Sequence, residues 1–322
     1  MSIEVLAPGL STTVQDQGRF GYYNVGLPQG GSLDAYSSQA ANMLVGNTAD
    51  QAVLECTYMA ASLRFAEEAV IAVTGAEVTM TIDGTSAPTW ETVTVPAGGT
   101  VEFGMITNGV RVYIAVAGGI DVPVVLGSRS TYPLGKMGGF KGRKLETGDV
   151  LPVGIIAESA ASLQHRVVPE DQRPDFSKEQ SIRVLMGLYD FRLSEKGKQN
   201  LLEEEWKLTP VADRAGMRYE GPGVEWVERE QPFGAGSDPS NIVDAGYAVG
   251  SIQIPGGTQP IILHRDAVSG GGYAMVATVI SADMDKVARA TPGTATKFVE
   301  VSMDEALEAR REYKAGLAAL WS

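Results

Sequence analysis

Apolar and polar positions alternate over short runs along most of the chain, and glycine or proline interrupts the runs. This is the pattern of many short strands joined by tight turns. Val70-Ile71-Ala72-Val73-Thr74-Gly75, Val78-Thr79-Met80-Thr81-Ile82 before Asp83-Gly84, Thr92-Val93-Thr94-Val95 before Pro96, and Arg111-Val112-Tyr113-Ile114-Ala115-Val116 before Gly118-Gly119 all read as strands. The first half is therefore mostly β. One helix interrupts it: Ser32 is placed to cap a segment from Asp34 through Val45 that carries Ala40, Ala41 and Leu44, and Gly46 closes it. Strand patterns return at Ile182-Arg183-Val184-Leu185, Gly250 to Pro255, Pro260-Ile261-Ile262-Leu263 and Met275 to Ile280. The charge-rich stretch from Phe191 to Trp206 reads as helical, with Gly197 as its weak point. Ser302 with Glu305 forms a capping box for an Ala- and Glu-rich helix that runs to Leu320.

Between these patterns, residues 157–180 lose their apolar periodicity and gather Pro169, Pro174 and several charges, as a connection between folded units would. The predicted organisation is a β-rich half over residues 1–160 and a second half over 175–322 that ends in the helix. A length of 322 residues fits about two domains, and 44% hydrophobic with 20% charged residues supplies an ordinary globular core.

Charge and reactive residues narrow the function. A net charge of -13, shared by both halves, repels phosphate backbones and anionic bilayers, so neither nucleic acid nor a membrane is an expected partner. The single cysteine, Cys56, lies in the run Ala52-Val53-Leu54-Glu55-Cys56, where a buried, inert thiol is expected rather than a nucleophile. Two histidines, His165 and His264, leave little material for a zinc site or a Ser-His-Asp triad, and no metal site is expected on this chain. The start lacks a basic region followed by an apolar run, and no stretch reaches the ~20 apolar residues of a membrane span, so a cytoplasmic location is expected.

Four segments carry candidate chemistry. Gly135 to Lys144 holds four of the eight basic residues of the first 155 positions; it lacks the spacing of a Walker loop, but Lys136, Lys141 and Arg143 fit either a mobile basic loop or an anion cradle. In Thr12 to Asp34, Gln15, Asp16, Arg19 and Asp34 alternate with glycines; Asp16 and Arg19 suit a turn-stabilising ion pair as well as a ligand contact. Ser128-Arg129-Ser130 sets hydroxyls around an arginine. In the second half, Asp213-Arg214, Gln253, and Asp266 to Tyr273 supply planar donors, acceptors and a cation, which suit a neutral amide whose carbonyl is attacked or phosphorylated.

The order and wording of these segments resemble the carboxyltransferase subdomain 2 family, also known as allophanate hydrolase subunit 2, over residues 12–298. The carrying motifs are Thr13-Val14-Gln15-Asp16-Gln17-Gly18-Arg19; Ala41-Asn42-Met43-Leu44-Val45-Gly46-Asn47; Ala117-Gly118-Gly119-Ile120 with Leu126-Gly127-Ser128-Arg129-Ser130-Thr131; Asp213-Arg214-Ala215-Gly216-Met217-Arg218; Gly250-Ser251-Ile252-Gln253-Ile254-Pro255; and Gly271-Gly272-Tyr273. The resemblance implies a mainly β fold of two barrel-like halves with cyclophilin-like architecture. It also implies a cyclophilin-like subunit 1 (B-type) partner and an A-type subunit, in a hetero-oligomer using ATP with magnesium. Its known members include the C-type subunit of ATP-dependent 5-oxoprolinase, the carboxyltransferase part of urea carboxylase, and a regulator that counteracts a kinase inhibitor.

On this reading the chain is an enzyme subunit of 5-oxoprolinase type, inactive alone. Asp16, Arg19, Asp34, Arg214 and Asp266 are the expected catalytic residues, with arginines as oxyanion or carboxylate clamps and aspartates as base or magnesium contacts. Gln15, Asn42, Ser128, Arg129, Ser130, Asp213, Gln253, Gly272 and Tyr273 are expected to bind substrate. No Ala-Met-Lys-Met biotin attachment site is present, so any biotin would arrive on another protein. Two departures bear on substrate: relatives often read Ser-Glu-Gly where this chain has Asp244-Ala245-Gly246, and an amide-bearing Asp-x-Gln motif where it has Asp266-Ala267-Val268.

Overall fold

In the computed structural model, which describes residues 1–156, 160–163 and 165–321, the chain forms two compact units. Met1–Phe20, Gly30–Phe176 and Leu317–Ser322 make the first; Gly21–Gln29 and Ser177–Gly316 make the second. Residues 157–159 and 164, within the stretch expected to connect two halves, lie outside the described residues.

The first unit is built on β1 (Ser2–Ala7), β2 (Ser11–Gln15), β3 (Val53–Thr57), β4 (Ser62–Phe65), β5 (Ala69–Ile82), β6 (Thr85–Ala87), β7 (Thr92–Val95), β8 (Thr100–Val116) and β9 (Val150–Pro152), with helices α1 (Ala35–Leu44) and α2 (Ala160–Leu163). The strands make one curled sheet in the order β2-β3-β8-β4-β1-β9, and β5 pairs with β8, β6 and β7. The two strands expected at 70–75 and 78–82 are one 14-residue strand. The glycine that reads as a break is a bulge: Gly75 has φ +92, a Cβ there would collide with the Arg111 carbonyl oxygen, and the register with β8 shifts between Gly75 and Glu77.

Strand alternation explains why residues 69–76 of β5 and 110–116 of β8 are buried on both faces. Ile71, Val73, Val112, Ile114 and Val116 point with Leu54 and Cys56 into one cluster. Their neighbours Val70, Ala72, Tyr113, Ala115 and Val53 point the other way, where Ala40, Ala41 and Leu44 of α1 cover them together with Trp90 and Leu320. Each fully buried Leu, Ile or Val contributes about 1.5–3 kcal/mol relative to exposure. The helix is capped by Asp34, not Ser32: the Ser37 amide donates to Asp34 Oδ1 at 3.1 Å. Ser32 lies too far upstream of the first turn to reach that amide, and its own N–H donates to the Asp16 carbonyl.

The second unit contains β10 (Glu179–Met186), β11 (Trp206–Ala212), β12 (Gly216–Glu220), β13 (Asn241–Gly246), β14 (Ser251–Gln253), β15 (Ile261–Leu263), β16 (Gly270–Tyr273), β17 (Met275–Val279) and β18 (Ala295–Glu300). Seven of these close a barrel in the order β10-β17-β14-β15-β12-β11-β18, while β13 and β16 form a separate pair. The closing contact is parallel, from Glu179 opposite Ala295 to Val184 opposite Glu300. Ile182, Val184, Leu208, Tyr219, Ile252, Ile262 and Phe298 are fully or almost fully buried, with the Tyr219 and Phe298 rings edge to face at 5.8 Å.

The helices of this unit are α3 (Glu195–Glu203), α4 (Met284–Arg289) and α5 (Met303–Ala319), the last of which runs on into the residues of the first unit. The helix expected over 191–206 is shorter at both ends. Ser194 caps α3 through the Gly197 amide, Asp190–Arg192 is a 3-10 turn, and buried Trp206 opens β11 with its indole donating to the Leu201 carbonyl at 3.1 Å. The capping box is present: Ser302 N donates to Glu305 Oε2 at 2.7 Å and Glu305 N to Ser302 Oγ at 3.3 Å. The architecture is thus mainly β, with two barrel-like halves and a C-terminal helix, as predicted. Among the described residues no helix is long and apolar enough to cross a membrane.

Candidate functional site

In the first unit, Asp16 follows β2 and joins two motifs that are far apart in sequence. Its Oδ1 accepts from Gly18 N at 2.8 Å, from Ser128 Oγ at 2.7 Å and from Ser130 Oγ; its Oδ2 accepts from Arg129 N. In return Asp16 N donates to Ser130 Oγ at 3.0 Å. Charge-assisted bonds of this kind are about twice as strong as neutral ones. Arg19 is 1% exposed and donates from Nε to Val125 O and from Nη2 to Ser130 O, both at 3.1 Å. Gln15 is buried; its Nε2 donates to Thr13 Oγ1 and Thr131 O, and among the described residues its Oε1 has no hydrogen-bond partner. Gln15, Asp16, Arg19, Ser128 and Ser130 therefore meet, but Asp16 is already engaged by four donors. The Arg129 guanidinium turns to Val122 O and Asp121 instead.

The glycine- and lysine-rich loop lies against this cluster. Gly138 has φ +66, and a Cβ there would strike Ser130 O and approach Arg19 Nη2 at 2.8 Å. The loop's amides are spent internally: Lys136 N on Pro133 O, Met137 N on Tyr132 O, Gly139 N on Arg129 O and Gly142 N on Gly138 O. Arg143 is committed to Asp149 by two bonds of 2.7 and 2.8 Å, which hold the Asp149 carboxyl below its ordinary range. Lys136 and Lys141 are exposed.

Asp34 and Asn42 sit at opposite ends of α1. Asp34 is 1% exposed and bound to Ser37 through both carboxylate oxygens. Asp34 N donates to the Tyr113 hydroxyl at 2.9 Å, which donates to Glu55 Oε2 at 2.9 Å, and Leu33 N donates to the same oxygen at 2.8 Å. Burial, then the charges of Glu55 and Asp34, push the Tyr113 phenol well above its ordinary pKa. Asn42 donates to Gln51 O and accepts from Asn47, which itself holds Val116 O and Gly118 N. Sequence reading missed Glu55 and Tyr113; the signal for the first was a lone acid in an apolar strand.

In the second unit, Arg214 and Asp266 form a bidentate pair, Nε to Oδ2 at 2.8 Å and Nη2 to Oδ1 at 3.0 Å. Asp213 accepts from Ala215 N and Gly216 N, fixing the turn before β12. Gln253 and Tyr273 gather around a residue not singled out in the sequence, Tyr247. Its hydroxyl donates to Tyr273 O at 2.9 Å and accepts from Tyr273 N at 2.7 Å. Burial raises the Tyr247 pKa, and Gln253 lies close enough to lower it in part. Gln253 is 5% exposed and its Nε2 completes no hydrogen bond of regular geometry. Gly272 lies in β16, where a Cβ would sit 3.3 Å from Ile242 O. Tyr247 also lines a cavity of about 550 Å³ with Tyr23, Asn24, Asp244 and Ala245. The departure at Ala245 thus falls on its wall, whereas Val268 is 57% exposed.

Among the described residues no group of three or more His, Cys, Asp or Glu is placed to hold a metal. Asp16, Asp34 and Asp266 are each engaged by protein donors, so they do not fit a magnesium contact in this arrangement. Cys56 is buried, which pushes its thiol up to about 11.

The chain thus combines two β-rich units, with a buried polar cluster in the first and a buried amide beside a tyrosine-lined cavity in the second. It belongs to the family described as carboxyltransferase domain, subdomain A and B, which matches residues 25–300. It is 37% identical to urea amidolyase of Saccharomyces cerevisiae over 311 residues, covering 94% of this chain and 17% of that one. It is 32% identical to the C-type subunit of 5-oxoprolinase from Escherichia coli K12 over 311 residues, covering 96% of this chain and 94% of that one. The crystal structure of the K. lactis urea amidolyase superposes with a TM-score of 0.92 at 35% identity, covering 99% of this chain and 20% of that one. The chain therefore spans about a fifth of the length of the urea amidolyases it matches.

Proposed function

We propose that this chain is the C-type subunit of an ATP-dependent 5-oxoprolinase, which opens the lactam of 5-oxo-L-proline to L-glutamate together with a B-type (subunit 1) and an A-type partner. The observation that carries this reading is the alignment to the C-type subunit of the Escherichia coli 5-oxoprolinase, which runs through nearly the whole of both chains. The site chemistry supports an amide substrate. Gln253 offers a buried donor with no regular acceptor, suited to a carbonyl oxygen, and such a group discriminates strongly against ligands that leave it unpaired. ATP supplies the activation of the ring carbonyl when the complex is assembled. Because Asp16, Asp34 and Asp266 are engaged by this chain's own donors, the nucleotide and its magnesium are assigned to the complex and not to those three carboxylates.

A second reading has its own support. The higher identity to urea amidolyase and the closeness of the K. lactis structure favour carboxyl transfer from biotin, carried on another protein, to urea or a similar small amide. Co-purification with B-type and A-type partners, followed by ATP hydrolysis with and without 5-oxo-L-proline, separates the two. Glutamate formation that requires this chain supports the oxoprolinase reading. An intact complex that leaves 5-oxo-L-proline untouched, and a chain that accepts carboxyl groups from carboxybiotin onto urea, would replace it with the second.

A further inference from the structure

Several partly buried arginines among the described residues are matched by acids. Arg214 has Asp266, Arg143 has Asp149 and Arg183 has Asp283. Arg192 is 4% exposed and among the described residues forms no ion pair; its Nη1 donates to the carbonyl oxygens of Pro239 and Asn241, and its buried Nε has no partner. Asp190, the carboxylate nearest in sequence, is taken by Lys198 at 3.2 Å. An uncompensated charge removed from water is costly, and the usual remedies are a counter-ion or neutralisation.

The surroundings add a second cation where an acid would be expected. Val227 N donates to Arg192 O at 2.8 Å and Leu193 bridges to Trp226, so the segment carrying Arg229 runs alongside Arg192. The Arg229 guanidinium sits over the Phe191 ring at 5.7 Å and that of Arg192 over the Tyr189 ring at 5.6 Å, the two rings being 6.3 Å apart. Burial and the like charge of Arg229 both lower the Arg192 pKa. Two arginines stacked on neighbouring aromatic faces, with no acid between them, make a receptor for negative charge. With Nη1 occupied, the edge left to Arg192 is Nε with Nη2, the side of a guanidinium that takes two oxygens of one oxyanion.

We propose that Arg192 and Arg229 form an oxyanion site in the second unit, which takes a small organic carboxylate or a phosphate on the Nε–Nη2 edge of Arg192, against Tyr189 and Phe191. The site is independent of whether the lactam or the urea reading holds. Tyr189 packs in the same apolar cluster as Ala245 and Tyr247, so an organic acid held by Arg192 would extend toward the cavity those residues line.

The test uses the full chain labelled with 15N and follows the Arg192 Nε–H resonance, assigned by its loss in Arg192→Lys, at constant ionic strength set with chloride. The probes are 5-oxo-L-proline, acetate and inorganic phosphate. A saturable shift is expected, with Kd raised about tenfold in Arg229→Gln, the size of one lost charge-assisted hydrogen bond, and unchanged in Lys136→Gln. Arg192→Lys keeps the charge but loses the fork; followed on the Arg229 Nε–H resonance, its binding is expected to be weakened at least as much. Saturation by phosphate alone would assign the phosphate source, and saturation by the carboxylates the organic acid. No saturable shift with any probe, or an unaltered Kd in Arg229→Gln, overturns the site; that exposed variant decides the matter even if Arg192→Lys does not fold.

Discussion

Arg214 and Asp266 face each other edge to edge, with two parallel bonds of 2.8 and 3.0 Å, and their side chains are only 12% and 5% exposed. The sequence suggested two independent cleft residues. Their pairing makes each the counter-ion of the other, which changes what a substitution should do.

Removing one partner leaves a buried charge, so Asp266→Ala is expected to lose about 3–5 kcal/mol of stability. Arg214→Met with Asp266→Leu should recover much of that loss, since a well-packed apolar pair often matches a buried ion pair. Urea unfolding of Asp266→Ala and of the double variant checks this. An Asp266→Ala chain as stable as the parent would show that the pair carries no stability.

Asp16→Asn tests the hub of the first unit. One oxygen becomes an NH2 that faces a donor, either Arg129 N or the group of Gly18 N, Ser128 Oγ and Ser130 Oγ. Leaving buried donors unsatisfied costs about 1–3 kcal/mol each. A fall of that size in unfolding free energy is expected, together with faster amide exchange at Arg129, whose N–H donates to Asp16; an unchanged stability would remove Asp16 from its structural role.

Asp283 provides the pH dependence. Burial pushes its carboxyl up, but hydrogen bonds from the Arg183 side chain and amide, with the charge of Lys286, outweigh this and hold it below the ordinary carboxylate range. The unfolded chain therefore takes up the proton first, at about 3.9. The stabilisation is complete above that value and is lost as pH falls through the lower folded pKa. The stability difference between the parent chain and Asp283→Asn should be largest at neutral pH and shrink below about pH 4. A difference that stays constant from pH 7 to pH 3 would contradict this.

Cys56 should be chemically silent. With its thiol pushed up to about 11 by burial, the thiolate needed for disulfide exchange is scarce at pH 8. Incubation with an aromatic disulfide reagent at that pH should release no thiol equivalent from folded protein and one after denaturation. Rapid labelling of the native chain would show that the site opens.

The strand pattern was legible because alternation is local: β7 spans the predicted Thr92–Val95, and the Ser302–Glu305 box is a four-residue signal. The long β5–β8 pairing was not, because Gly75 has the same appearance at a turn and at a bulge, and only the approach of the Arg111 carbonyl separates the two. Site chemistry was legible by residue type but not by role. Asp16, Arg19 and Ser128 to Ser130 do come together, yet the partners that occupy Asp16 come from more than 100 positions away. Tyr247 and Arg192 were passed over because nothing beside them in sequence marks them, and Glu55 because a lone acid in an apolar strand does not name its partner; each is defined by what it faces across the fold. Gln253 stood out as a polar residue between isoleucines, and the fold buries its amide.

The closing seam between β10 and β18 gives the barrel a calendar. Its two strands are separated by more than 100 residues, and the first unit likewise counts Leu317–Ser322 among its residues. On a ribosome the chain must therefore wait: the barrel cannot seal until Glu300 has emerged, and Leu320 reaches its place beside Trp90 later still. A premature stop within β18 would leave the barrel unsealed and strip Leu320 from the cover over Trp90, exposing apolar strands to chaperones and proteases.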